Sequence, residues 1–237
     1  MGSQQSASFV QAIQLGKRVM TSEGPLTILD DINFSIPVGT SVALIGASGS
    51  GKTTLLGLLA GLDVPSEGQV MNNGQDLGSM DEDGRALLRA DTIGFVFQNF
   101  QLLNGLTALE NVMLPLELAD AANPREQAMS FLQRVGLGDR LSHYPNQLSG
   151  GEQQRCAIAR AFAAQPKLLF ADEPTGNLDQ HTGKRIIDLL FELNREQGTT
   201  LIMATHDEHL AELCDRRLHL DEGHLEKQDE SISDVGC

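Results

Sequence analysis

The apolar positions of the chain change period several times, and each change marks an element. Ile32, Phe34 and Ile36 alternate with Asn33 and Ser35, the period of a strand with one buried face. The whole stretch from about 9 to 45 reads as strands, and it ends in a short continuous apolar run at 42–45 that suits a strand buried on both faces. Two further runs of that kind stand at 167–171, entered after Pro166, and at 200–204. Elsewhere the spacing lengthens to that of a helix. Leu55, Leu56, Leu58 and Leu59 follow a glycine-rich loop. Ala128, Phe131, Leu132 and Val135 follow Asn123-Pro124, a cap residue and then proline at the first helical position, and Gly136 can end that helix. Ile186, Leu190 and Leu193 make one stripe over 184–197, closed by Gly198. The region from about 98 to 165 reads as mainly helical. Strands alternating with helices predict an α/β fold on a largely parallel sheet.

Polarity sets the expected boundaries. Residues 1–8 are polar and lack an apolar signal core, so they read as a disordered tail. Residues 9–225 then form one domain, and 226–237 form an acidic tail. No stretch approaches the roughly 20 apolar residues that cross a bilayer. Met1-Gly2 with Ser6 matches the bare N-myristoylation pattern, which is short enough to arise by accident and is set aside. The 237 residues carry a formal net charge of −15, which repels phosphate backbones and argues against nucleic acid as a partner. Any nucleotide must therefore be held by a local device. Cys156, Cys214 and Cys237 show no paired or metal-type spacing, which fits a reduced, cytosolic chain. Cys156 reads as a small core residue, and Asp81-Glu82-Asp83 as the acidic first turn of an exposed helix.

Three motifs carry chemistry. Gly46-Ala47-Ser48-Gly49-Ser50-Gly51-Lys52-Thr53-Thr54 lies between a buried strand and a helix. Its glycines let backbone N–H groups turn toward phosphate oxygens, and the following helix points its positive end at the same place. Lys52 supplies charge to the β- and γ-phosphates and the Thr53 hydroxyl can ligate Mg²⁺. The second motif is an apolar strand ending in Asp172-Glu173, which sets two carboxylates at the edge where ligands bind in such sheets. Asp172 would hold Mg²⁺ through water and Glu173 would polarise the attacking water. In the third, Leu148 to Gln153, Ser149 and Glu152 form a capping box. A cap does not need both Gly150 and Gly151, whereas an anion approaching helix N–H groups does.

Together these strings resemble the ATP-binding subunits of ABC transporters over nearly the whole chain. LSGGEQQR, residues 148–155, is similar to the family's signature, and ADEPTGNLD, residues 171–179, resembles its lipoprotein-release and macrolide-export branch. The resemblance implies a P-loop NTPase of the ABC-ATPase fold, with a RecA-like core, an N-terminal antiparallel β subdomain and a helical signature subdomain over about 98–165. It implies ATP and Mg²⁺ as cofactors. Gln98 would touch Mg²⁺ or water and sense the membrane partner. Ser149, Gly150 and Gly151 would serve the γ-phosphate held by the opposite subunit. Asp179 would lie at the dimer seam, and His206, inside Thr205-His206-Asp207, would contact the γ-phosphate. Val19 stands where the family usually stacks adenine on an aromatic ring, which leaves apolar contact alone and implies modest base discrimination.

The implied partners are a second copy of the chain, joined head to tail on ATP, and an integral-membrane permease. The implied place is the cytoplasmic face of the inner membrane, peripherally bound. Export or extraction of an amphiphile, lipoprotein or peptide remains open beside a mechanical ATPase that moves no cargo, and beside a soluble non-transport ABC protein. The last normally carries two cassettes and basic surface, or a long coiled coil, which this chain lacks. Phe95 and Phe97 share strand parity and are expected in the core, whereas Phe100 and Leu103 are expected to line the groove that receives the permease.

Overall fold

The computed structural model describes residues 8–22 and 24–230; the tail expected at 1–8 thus lies outside it except for Ser8, and so does 231–237 of the C-terminal tail. In chain order the elements are β1 (Ser8–Thr21), β2 (Gly24–Pro37), β3 (Ser41–Ile45), α1 (Lys52–Leu59), β4 (Glu67–Asn72), β5 (Gln75–Asp76), α2 (Glu82–Thr92), β6 (Ile93–Phe97), α3 (Ala108–Leu118), α4 (Pro124–Arg134), α5 (Gly150–Ala163), β7 (Leu168–Asp172), α6 (Gln180–Gln197), β8 (Thr200–Thr205), α7 (Glu208–Ala211), β9 (Arg216–Asp221) and β10 (His224–Glu230). They divide into two compact units, 1–87 with 200–237, and 88–199.

The first unit holds an antiparallel sheet in the order β2-β1-β4-β5. Leu15, Leu29, Ile32 and Ile36 are fully buried there. The same unit holds β3 between β8 and β9, all parallel, with β10 antiparallel on β9. The continuous apolar run at 42–45 is β3, and β8 is buried throughout, as strands covered on both faces must be. The Asp215 carboxylate fixes where β3 begins. It accepts from the Ser41 N–H and from the Ser41 hydroxyl, both at 2.7 Å. The turn between β9 and β10 reaches the loop before α1: Gly223 N–H donates to the Ser50 carbonyl, and Asp30 N–H on β2 donates to the Gly223 carbonyl. β10 takes in residues 226–230, which the polar pattern had assigned to the tail; backbone pairing to β9 makes a strand of a segment whose side chains give no apolar period.

The second unit pairs β6 with β7 in parallel and packs α3, α4, α5 and α6 around them. α3 starts on a capping box between Thr107 and Glu110. Buried Asn111 staples the loop before it: its amide donates to the carbonyls of Leu103, Leu106 and Thr107, and its oxygen accepts from the Leu103 N–H. α4 begins with Pro124 as the spacing predicts, but Asn123 makes no side-chain cap; its φ of 54° lets it reverse the chain instead. Gly198 closes α6 at φ 64°. α2 begins at Glu82, with Glu82 and Asp83 in its first turn, as the acidic cluster suggests. Cys156 and Cys214 are buried, and burial pushes both thiols up to about 12. Both are small core residues without reactive thiolate.

Asn72, at the end of β4, is buried, and neither atom of its amide has a hydrogen-bond partner. A buried unpaired amide costs on the order of 1–3 kcal/mol. Asn72→Leu is therefore expected to raise the melting temperature by about 2–5 °C in a thermal scan. An unchanged or lower value would mean that Asn72 is satisfied in solution.

Candidate nucleotide site

The ladder register decides which residues emerge together. In the first unit Ile45 pairs with Thr205 at the C-terminal ends of β3 and β8. The next residues are Gly46, which opens the phosphate loop, and His206. In the second unit Phe97 pairs with Asp172 at the C-terminal ends of β6 and β7. The next residues are Gln98 and Glu173. Gly46 and His206, and likewise Gln98 and Glu173, thus leave a parallel ladder at the same level.

The loop after β3 has the form of an anion cradle. Gly49 and Gly51 have φ of 84° and 104°, a region that side chains rarely enter. A Cβ on Gly46 would stand 2.2 Å from the Leu220 carbonyl oxygen, and one on Gly51 would stand 2.9 Å from Leu29 Cδ2. The loop is thus pressed onto β9 and β2, and only glycine fits. Ala47, Ser48 and Gly49 remain exposed at its crest. Lys52 is buried, and its ammonium donates to the carbonyls of Gly46 at 2.7 Å and Ala47 at 2.9 Å. An ammonium has three protons, so this anchoring leaves one for a ligand. The Ser50 hydroxyl is buried without a partner. An orphaned hydroxyl, an anchored ammonium and the N-terminus of α1 suit a phosphate chain. Thr53 is exposed in the first turn of α1, followed by Thr54. Val19 pairs across the hairpin with Leu26, an aliphatic pair with no ring.

Glu173 sits at φ 44°, a left-handed conformation that costs a non-glycine residue about 1–3 kcal/mol. The turn that follows restrains it: Gly176 N–H donates to the Glu173 carbonyl. Gln154, fully buried on α5, donates to the Pro174 carbonyl at 2.5 Å. Asp179 caps α6, accepting from the N–H groups of His181 and Thr182. Bonding to Thr182 draws its carboxyl below the usual value.

The N-terminus of α5 forms the predicted capping box. The Glu152 carboxylate accepts from the Ser149 N–H at 2.9 Å and from its hydroxyl at 2.7 Å, and Ser149 Oγ accepts from the Glu152 N–H at 3.3 Å. Arg140 adds a contact at 3.1 Å. The two glycines have a packing reason as well as an access reason. A Cβ on Gly151 would lie 2.7 Å from Thr182 Cγ2, and one on Gly150 would lie 3.5 Å from Leu178 and 3.7 Å from the Phe100 ring.

Phe100 and Gln101 are both left-handed, with φ of 58° and 46°. Arg160 on α5 holds this strained pair by donating to both carbonyls, at 3.1 and 2.6 Å. Burial lowers the Arg160 pKa. Beside it lies a cavity of about 310 Å³ whose wall includes Phe95, Phe97, Pro115, Leu118 and Arg160. Leu103, expected to line a docking groove, is exposed, and Phe100 is partly buried. Phe100 and Leu103 do not line the cavity; the reversed chain turns the Phe100 ring to Gly150, and Asn111 pins Leu103. Phe95 and Phe97 do share a face, stacked at 5.3 Å, but they are only partly buried and form its wall. Sequence reading gave no role to Gln154, Arg160 or Asn177. The only signal was their place inside the motif strings or one helical turn beyond.

Among the described residues no group of three or more His, Cys, Asp or Glu could hold a metal, and no helix is long and apolar enough to cross a membrane.

Comparison with known proteins agrees with the geometry. The ABC transporter family model matches residues 29–176. The chain is 54% identical to the ABC transporter ATP-binding protein YbbA of Escherichia coli K12 over 93% of this chain and 98% of that protein. It is 45% identical to the lipoprotein-releasing system ATP-binding protein LolD of Xanthomonas campestris pv. campestris strain 8004, over 93% of each. Among solved structures, the dimeric ATP-binding cassette MJ0796 bound to ADP and Pi matches with a TM-score of 0.87 and 40% identity, over 94% of this chain and 98% of that one. CbiO1 of Clostridium perfringens, part of the transporter complex CbiONQ, matches at 0.82 and 30%, over 94% and 88%.

The Glu152 carboxyl is held at about 2, first by the Ser149 N–H and then by the Ser149 hydroxyl, against an ordinary value of 4.5. A lowered folded pKa contributes stability that is present above pH 4.5 and lost as pH falls toward 2. Glu152→Gln should remove that part of the acid transition and cost about 1 kcal/mol at neutral pH, allowing for solvent screening. Denaturant melts from pH 7 to pH 3 would test this; an unchanged slope below pH 4.5 would remove the capping box from the account.

Proposed function

The chain belongs to the ABC transporter family, and from that premise we propose that it is the ATP-hydrolysing motor of a membrane complex, working as a head-to-tail pair of copies on an integral-membrane permease. The observation that carries this reading is the phosphate loop, in which anchored Lys52 stands over a cradle that only glycines can form. The nucleotide phosphates lie against Gly46–Thr54, with Lys52 on the β- and γ-phosphates. Thr53, Asp172 and Gln98 would hold Mg²⁺, which supplies positive charge to the β- and γ-phosphoryl oxygens. Glu173 accepts a hydrogen bond from the attacking water and turns its oxygen toward the γ-phosphorus. His206 steadies the γ-phosphate. Val19 gives the base apolar contact.

Ser149, Gly150 and Gly151 serve the γ-phosphate held by the second copy, and Asp179 lies at the seam. The dimeric state of MJ0796 supports this composite site. Closure excludes water and completes the donor set, while hydrolysis and loss of phosphate let the pair open. The likeness to LolD favours release or export of a lipoprotein or another amphiphile, from the cytoplasmic face of the inner membrane. A motor that pulls on an extracytoplasmic domain without cargo uses the same parts. The cavity beside Arg160 has the apolar wall that a permease segment would need.

Glu173→Gln should retain Mg-ATP binding and lower turnover by about 10²–10⁴-fold, with an ATP-bound dimer accumulating in size-exclusion chromatography. Turnover within a few-fold of the parent would remove Glu173 from its role. Leu118, 71% exposed, tests the docking wall. Leu118→Glu should leave the melting temperature of the isolated subunit unchanged, because the side chain is already in water. It should reduce recovery of the native permease in pull-downs at least tenfold, since docking would bury an unpaired carboxylate. Undiminished recovery would place the permease elsewhere.

A further inference from the structure

Asn177 stands in the turn between Glu173 and α6, and its side chain does not serve that turn. Its amide donates to the Gln98 carbonyl at 3.0 Å and to Asn99 Oδ1 at 2.7 Å. Its own oxygen accepts from Gln98 Nε2 at a longer 3.4 Å. One side chain thus grips both the backbone and the side chain of Gln98. The neighbouring residue makes room for it: a Cβ on Gly176 would lie 2.7 Å from Gln98 Nε2 and 3.0 Å from Gln98 Cδ, so the glutamine lies flat on a bare stretch of backbone. The base of the same turn is held from the other side by buried Gln154, through the Pro174 carbonyl. The far end of the Gln98 loop is held by Arg160, through Phe100 and Gln101. Both holding residues come from α5, so the two loops share one rigid support.

We propose that Asn177 is a positioning residue that locks the Gln98 loop to the turn following Glu173, so that the two move as one body when the docking groove is loaded. The lock rests on the roles given above to Gln98 and Glu173. It supplies no group to the reaction. It sets where Gln98 stands relative to Glu173, and it makes the chain between the groove and the water-orienting carboxylate stiff. A carboxylate of the same shape could keep the contact from Gln98 Nε2, but it would lose both donors and would face Asn99 Oδ1 and the Gln98 carbonyl with like partial charge.

The test uses the full-length chain. Asn177→Ala and Asn177→Asp are expected to bind Mg-ATP within twofold of the parent and to melt within about 2 °C of it, because an exposed polar contact contributes little to global stability. Hydrogen exchange in the peptide covering residues 97–103 should be at least fivefold faster in both variants, with the peptide covering 148–155 unchanged. Turnover at saturating ATP should fall about tenfold, and the Mg²⁺ concentration for half-maximal rate should rise. In a Gln98→Ala background, Asn177→Ala should cost less than twofold. Unchanged exchange at 97–103 would overturn the lock, whatever the activities are. A full tenfold loss in the Gln98→Ala background would show that Asn177 acts on the rate by another route. Parent-like turnover of Gln98→Ala by itself would instead remove Gln98 from its proposed role, and the exchange measurement would still decide whether the two loops are joined.

Discussion

The register of two parallel ladders sets where Gly46, Gln98, Asp172, Glu173 and His206 emerge from the sheet strands. A parallel strand buried on both faces offers no place for polar chemistry along its length, so function gathers where the strands stop. Ile45 stops level with Thr205, and Phe97 stops level with Asp172. A slip of one residue in either ladder would turn alternate side chains to the other face and carry Gly46 away from His206, or Gln98 away from Glu173. Ser41 and Asp215 tie the entry of β3 to β9 with three mutual hydrogen bonds, and Gly39 N–H donates to Thr200 Oγ1 at the entry beside β8. The loops can then be short and strained, because their starting points do not drift.

The acidic chain solves its electrostatic problem locally. A net charge of −15 opposes a polyphosphate at long range. Within the loop after β3 the relevant field comes from one anchored ammonium and the end of one helix, at contact distances where solvent screening is weak. Lys52 is held by two carbonyls of its own loop, so its charge is in position before any ligand arrives. Such preorganisation removes most of the reorganisation that binding would otherwise require.

Much of this was legible in the sequence, for reasons that can be named. The apolar runs at 42–45, 167–171 and 200–204 gave β3, β7 and β8 to within a residue or two, since long burial leaves few alternatives. The capping box at Ser149 and Glu152 was legible because its two partners are three residues apart. The turn of the Phe100 ring toward Gly150 was not foreseen, because Phe100 and Gln101 adopt positive φ without being glycine, and nothing local announces such a reversal. Asn123 failed as a cap for the same reason. β10 was hidden because its pairing is a backbone matter. Asn177 could not be assigned because its partners lie 78 and 79 positions away. The family's site residues came from motif resemblance, and their mutual placement at the ladder ends came from the register.

The close approach of Gly151 to Thr182 has a bearing on how such a chain can change over generations. With only 2.7 Å between Thr182 Cγ2 and a would-be Cβ, residue 151 cannot grow while the Thr182 methyl keeps its place. Any lineage that enlarged residue 151 first would pass through a clash between the starts of α5 and α6. A lineage that shortened residue 182 first, to serine or alanine, would open the space and pass through no such barrier. The order of the two substitutions, rather than either one alone, decides whether that route is open to natural variation.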